Sequence, residues 1–222
     1  MIPIVPLAHK LGKPRGLSLG PHPSTPSLDA TPPTRHNRSD DFSEVLMLAY
    51  LFVILAVAVR FIPHPWMFTP VVGSLLFFGA RGSRRQLWIP FALLVASDVV
   101  LTKVVYSMAF SWDHFVTFAW YAAVLWLGTQ LGKRTSALRI VAASLTSSVS
   151  FFLLSNFAVW ACWHMYPKTF SGLITSYAMG LPFFRNAIVG DLVFTSAMFA
   201  TPAFIHVLSQ MLGKHGDHSA AA

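Results

Sequence analysis

The chain is poor in charge and nearly devoid of cysteine. Only 11% of its 222 residues are charged, against about 25% in ordinary soluble domains. Cys162 is the single cysteine. That excludes an intrachain disulfide, a C-x-x-C redox pair and a cysteine-based zinc site. There is no G-x4-G-K-[ST] phosphate loop. "GTQLGKR" at Gly128–Arg134 has the wrong spacing and no hydroxyl after its lysine, so the chain should not hydrolyse nucleotide by itself. H-E-x-x-H and G-x-S-x-G are absent too. No catalytic residue, cofactor or metal site is expected, and no enzyme activity. Two aspartates acting as acid and base would be a conceivable chemistry, but no motif supports it.

What the chain has in excess is apolar residues, 55% of the total. Its long apolar runs approach the roughly 20 residues that cross about 30 Å of hydrocarbon. The predicted fold class is all-α: a polytopic membrane protein of six transmembrane helices, with the lipid bilayer as its first partner. The segments run at about 45–61, 69–80, 86–105, 115–131, 138–163 and 186–210. The second is short. Its dozen residues reach about 18 Å. Between the fifth and sixth, "SGLITSYAMGLPFF" is punctuated by Gly and Pro and reads as an outer interfacial or re-entrant helix.

Residues 1–42 hold eight of the fifteen prolines and read as a disordered cytoplasmic tail. Residues 43–211 form the membrane domain and 212–222 a second disordered tail. Ile2–Ala8 is too short and too rich in proline for a signal core. The formal charge of +8 does not point to nucleic acid, because the basic residues gather in short loops between apolar runs.

Those loops test the short second segment. If all six segments cross, one side carries Lys10, Lys13, Arg15, Arg35, Arg38, Arg81, Arg84, Arg85, Lys133, Arg134, Arg139 and Lys214. The other carries Arg60, Lys103, Lys168 and Arg185. That is twelve against four; without the second crossing it becomes eight against eight. The positive-inside rule favours six crossings, with both termini in the cytoplasm of a cell bounded by this inner (plasma) membrane.

That topology brings polar residues into the outer half. Asp98 lies about two turns below the outer end of the third segment, Asn156 about two turns below that of the fifth, and Asp191 one to two turns below the start of the sixth. An acid in hydrocarbon costs about 2.5–3.5 kcal/mol on insertion scales, so two at similar depth suggest a shared polar cavity. Arg60, Arg185 and Lys103 are the candidate counter-charges. The predicted ligand-binding set is Arg60, Asp98, Asn156, Arg185, Asn186 and Asp191, with Trp160, Tyr166, Tyr177 and Phe183 as an aromatic wall. Trp160, Trp163 and Tyr166 equally suit a belt at headgroup level. Asn156 would hydrogen-bond either a ligand or a neighbouring helix. Asp98 and Asp191 would serve either a solute or the locking of the bundle.

Pro63, Pro65 and Pro70 make a stiff outer connection, either a rim or a plain turn. The serines of the fifth segment suit close packing or a polar path. Pairs of small residues at Ala92/Ala96, Ala119/Ala123 and Gly128/Gly132 allow helices to approach closely. His215 and His218 read as solvated tail residues.

The stretches "RFIPHPWMFTPVVGSLLFFGA", "IPFALLVASDVVL" and "SNFAVWACWHMYPKTFSGLITSYAMGLPFFRNAIVGDLVF" resemble a family of bacterial multi-pass membrane proteins of unknown function, over about Arg60 to Ala200. A looser likeness is to the substrate-binding membrane subunits of energy-coupling-factor vitamin transporters. Those are six-helix proteins that bind a small molecule from outside and borrow a shared energising module. They carry an Ala-x3-Ala contact on the first helix, whereas here the nearest such pair, Ala92/Ala96, is on the third. The expected function is binding of a small solute in an outward-facing polar pocket, as a transport subunit. The alternative is a structural or assembly protein whose buried polar residues set helix register.

Overall fold

A computed structural model describes residues 36–62, 68–132 and 135–219, with side chains over 43–62, 68–132 and 135–211. The stretch 1–35, most of the expected tail, lies outside the described residues, as do Pro63, Pro65 and the side chains of His215 and His218. The described residues form six α-helices and no strand. They are α1 (His36–Val59), α2 (Val71–Arg81), α3 (Trp88–Val100), α4 (Trp112–Leu131), α5 (Ala137–Cys162) and α6 (Phe170–Ser219). A 3-10 turn, Arg84–Gln86, leads into α3, and a π turn, Leu101–Val105, extends it.

Three helical stretches are long and apolar enough to cross a membrane: Arg84–Val105, Ala137–Cys162 and Phe170–Met211. That is compatible with membrane insertion. The burial pattern is compatible with it as well. Ser74, Ser97, Ser144, Ser147, Ser148, Ser176 and Thr195 are buried, while Leu51, Ile54, Trp126, Leu153, Val193 and Phe204 face outward. A soluble domain would arrange these the other way round. α4 has the length, 20 residues, but carries Asp113 and His114 in its first turn and is not among the three.

The short second helix is present as expected. α2 has 11 residues, about 16 Å at 1.5 Å each. Nine of them, Val71 to Gly79, are buried, so α2 is the central post of the bundle. Phe77 packs edge-on against Phe52 of α1 and Phe199 of α6, and Phe78 against Tyr50. Its glycines allow this crowding. A Cβ on Gly79 would sit 2.8 Å from the Gly128 Cα and 2.5 Å from the Leu125 carbonyl oxygen on α4. Of the small-residue pairs, Gly128 therefore makes a backbone-to-backbone contact. Gly132 instead ends α4 with a φ of +64°, a conformation glycine adopts without penalty. Ala92, Ala96, Ala119 and Ala123 all face outward.

Two boundaries differ from the sequence reading. α1 begins at His36 rather than near Val45. The predicted interfacial or re-entrant helix is not a separate element, because Phe170–Ser219 is one helix that runs through Pro182 and Pro202. Proline removes one backbone hydrogen bond, yet apolar helices tolerate it where neighbours support the turn. Here α5 supplies the support. Tyr177 donates to the Leu153 carbonyl (3.0 Å), Ser176 donates to the Asn156 carbonyl (3.0 Å), and the Phe152 and Phe184 rings stack at 4.4 Å. Farther along, Asp191 meets Ser148 and Thr195 meets Ser144, so α6 runs antiparallel along α5 over this whole length.

Candidate functional site

An ion pair joins the end of α1 to α3. Arg60, just past the last turn of α1, donates to the Asp98 carboxylate and, at 2.8 Å, to the Ser97 hydroxyl. Tyr121 of α4 is buried beside the pair and interacts with both members. The second carboxylate oxygen of Asp98 is buried without a hydrogen-bond partner. Lys103, the other candidate counter-charge for Asp98, is exposed.

The π turn after α3 re-aims the chain by one residue, a feature often found beside functional sites. It brings Thr102 within 3.1 Å of the His114 Nε2. His114 belongs to the start of α4, where Ser111 forms a capping box with it. Asp113 accepts a hydrogen bond from the Ser111 hydroxyl, and Phe110 stacks on the His114 ring at 4.3 Å.

On the other side, the serine stripe of α5 faces α6. Ser148 donates to the Asp191 carboxylate at 2.6 Å. Asp191 is only 6% exposed. It lies twenty-one residues past Phe170, where α6 starts, about 31 Å along the axis. The sequence reading placed it one to two turns from a helix start near Asn186. The difference follows from the 170–185 stretch being part of the same helix.

These groups surround one cavity of about 320 Å³. Arg60, Asp98, Thr102, Asp113, His114 and Thr117 contribute its polar lining, together with Ser148 and Asp191. Trp120, Tyr121 and Phe151 form an aromatic side, and Val71, Val72 and Ala187 complete the apolar part. Every helix of the bundle, or the turn beside it, supplies at least one residue. Thr69 and Val71 place the start of α2 against the cavity, and the Pro70 cap there has no side-chain hydrogen bond.

Of the predicted set, Arg60, Asp98 and Asp191 meet in this cavity, and the other seven residues are not in its lining. Asn156 donates to the Phe152 carbonyl (2.8 Å) and packs flat against Gly180, where a Cβ would come within 2.5 Å of its Oδ1. It belongs to the α5–α6 contact, as does Tyr177. Trp160 donates from its indole to the Pro167 carbonyl at 2.9 Å. Lys168 donates to the carbonyls of Trp160 and Trp163 and stands over the Trp160 ring. A lysine satisfying the last carbonyls of a helix is a C-terminal cap, so this aromatic cluster locks the α5–α6 turn. Tyr166 and Phe183 are half-buried, and Arg185 and Asn186 are exposed.

Sequence reasoning missed Thr102, Thr117, Trp120, Tyr121, Phe151 and Ala187 and noted Ser148 only within the serine stripe. Asp113 and His114 carried the one usable signal, adjacent ionisable residues at a helix start. The others are ordinary residues of apolar helices.

The sequence matches a family described as a family of unknown function, DUF6580, over residues 40–212. This is more than half of the chain, and the chain belongs to that family. No curated protein matches it, and no solved structure does.

Proposed function

We propose that this family member is a plasma-membrane protein of six crossings, both termini cytoplasmic, that binds a small polar solute in the central cavity from the outer side. It acts as a binding or transport component with no catalytic activity of its own. The observation that carries this reading is the cavity: about 320 Å³, with three carboxylates and one guanidinium in its lining. Ionised groups inside an apolar bundle are costly and usually mark a solute or ion pathway. The basic-residue asymmetry between loops supports the orientation.

The experiment is native mass spectrometry of the full chain in mild detergent, beside Ala187→Phe, which fills the cavity and leaves every charged residue in place. The expected result is a small molecule released from the wild type and absent from the folded variant. An empty wild type, or the same mass retained by the variant, would overturn the reading.

A second reading has its own observation. Arg60–Asp98 joins α1 to α3, and Ser148–Asp191 joins α5 to α6. Both contacts would also serve a purely structural protein, whose empty cavity is incidental to assembly.

A further inference from the structure

The charges around the cavity do not balance. Three carboxylates, Asp98, Asp113 and Asp191, line it. The Arg60 guanidinium is taken by Asp98 and Ser97. His114 faces Asp113, with its Nδ1 3.5 Å from the carboxylate, and holds Thr102 through its other nitrogen. Asp191 has no basic partner among the described residues. Its bond is to the Ser148 hydroxyl, and that bond engages one carboxylate oxygen. A carboxylate this deep without a counter-charge is expensive to keep ionised, so it either holds a proton or pairs with a cation supplied from outside the chain.

We infer that the solute is a small organic cation, a primary amine in its ammonium form, whose nitrogen pairs with Asp191 at the base of the cavity. This rests on the reading of the cavity as a solute site. Three further observations select an organic ammonium. First, the described residues hold no group of three metal-ligating side chains, which argues against a divalent ion. Second, the cavity is far larger than a bare ion or a single water requires. Third, Trp120, Tyr121 and Phe151 share the cavity with Asp191, and aromatic faces attract cations. An ammonium carries three donors, enough for the free oxygen of Asp191 and neighbouring acceptors. An anion would face three carboxylates against an arginine already occupied.

The test is calorimetric titration of the full chain in lipid nanodiscs with phenethylammonium, 2-phenylethanol and 3-phenylpropionate. These share a ring and differ in charge. The expected result is phenethylammonium binding at least about tenfold more tightly than the alcohol, with no measurable binding of the carboxylate. Asp191→Asn should abolish the preference, and Ala187→Phe should block the cavity altogether. If Asp191→Asn does not fold, Ser148→Ala should weaken phenethylammonium and leave the alcohol unchanged. Equal or tighter binding of the alcohol or carboxylate, blocked by Ala187→Phe, would overturn the cation inference and leave the solute site standing. Absence of binding by all three would overturn the inference. The same absence, with no mass released from the wild type in native mass spectrometry, would sink the solute site too.

Discussion

Arg60 and Asp98 are thirty-eight residues apart in sequence, yet the guanidinium at the end of α1 donates directly to the carboxylate on α3. Both side chains are mostly buried, at 16% and 13% exposure. Removing one member of such a pair leaves the other charged and unpaired, which typically costs about 3–5 kcal/mol. Replacing both by apolar residues of similar size is far milder. Asp98→Leu should therefore lower thermal stability in detergent sharply, and Arg60→Met with Asp98→Leu should recover most of the loss. Equal losses in the single and double variants would show that the pair is not coupled.

The α2–α4 contact gives a second prediction. Gly79 and Gly128 touch through their backbones, and either Cβ would meet main-chain atoms at 3.0 Å or less. Backbone cannot swing aside as a side-chain tip can. Gly79→Ala should force the helices apart and cost about 1–3 kcal/mol, read as a lower melting temperature. Ala123→Gly, on the outward side of α4, should show only the smaller propensity loss of about 1 kcal/mol.

The α5–α6 turn is held by Lys168 through the carbonyls of Trp160 and Trp163. Lys168→Met should free those carbonyls and lose about 1 kcal/mol of local stability. Hydrogen exchange across 160–169 should rise, while exchange near Asp98 and Asp191 stays the same. Faster exchange throughout the bundle would mean that the turn is not a separate local lock.

Topology is open to a chemical check. Cys162 is exposed and is the single thiol. The six-crossing proposal expects an impermeant maleimide to label it from the outer side of intact cells. In a Cys162→Ser background, Ser83→Cys, in the loop between α2 and α3, should react only after permeabilisation. Labelling of the introduced cysteine from outside, with Cys162 of the wild type reacting only after permeabilisation, would remove the second crossing.

The opening segments were readable because apolar run length answers directly to bilayer thickness and helix rise. The all-helical class, the short α2 and the apolar stretches at α3, α5 and α6 follow from that alone. So does the presence of Arg60, Asp98 and Asp191 among the candidates, since an ionisable residue inside an apolar run stands out by its cost. What the sequence could not show was the sliding of one helix against another. Periodicity tells which face a residue occupies but not what that face meets. Only the pairing of α5 with a continuous α6 set Asp191 against Ser148 and turned Asn156 toward Gly180. Only the π turn after α3 brought Thr102 to His114, and only the packing around α2 carried Trp120, Tyr121 and Phe151 to the same cavity. The polar inventory was determined by the sequence. Its assembly into one site was decided by close packing, where a few glycines and serines allow helices to approach and so fix which residues share a level.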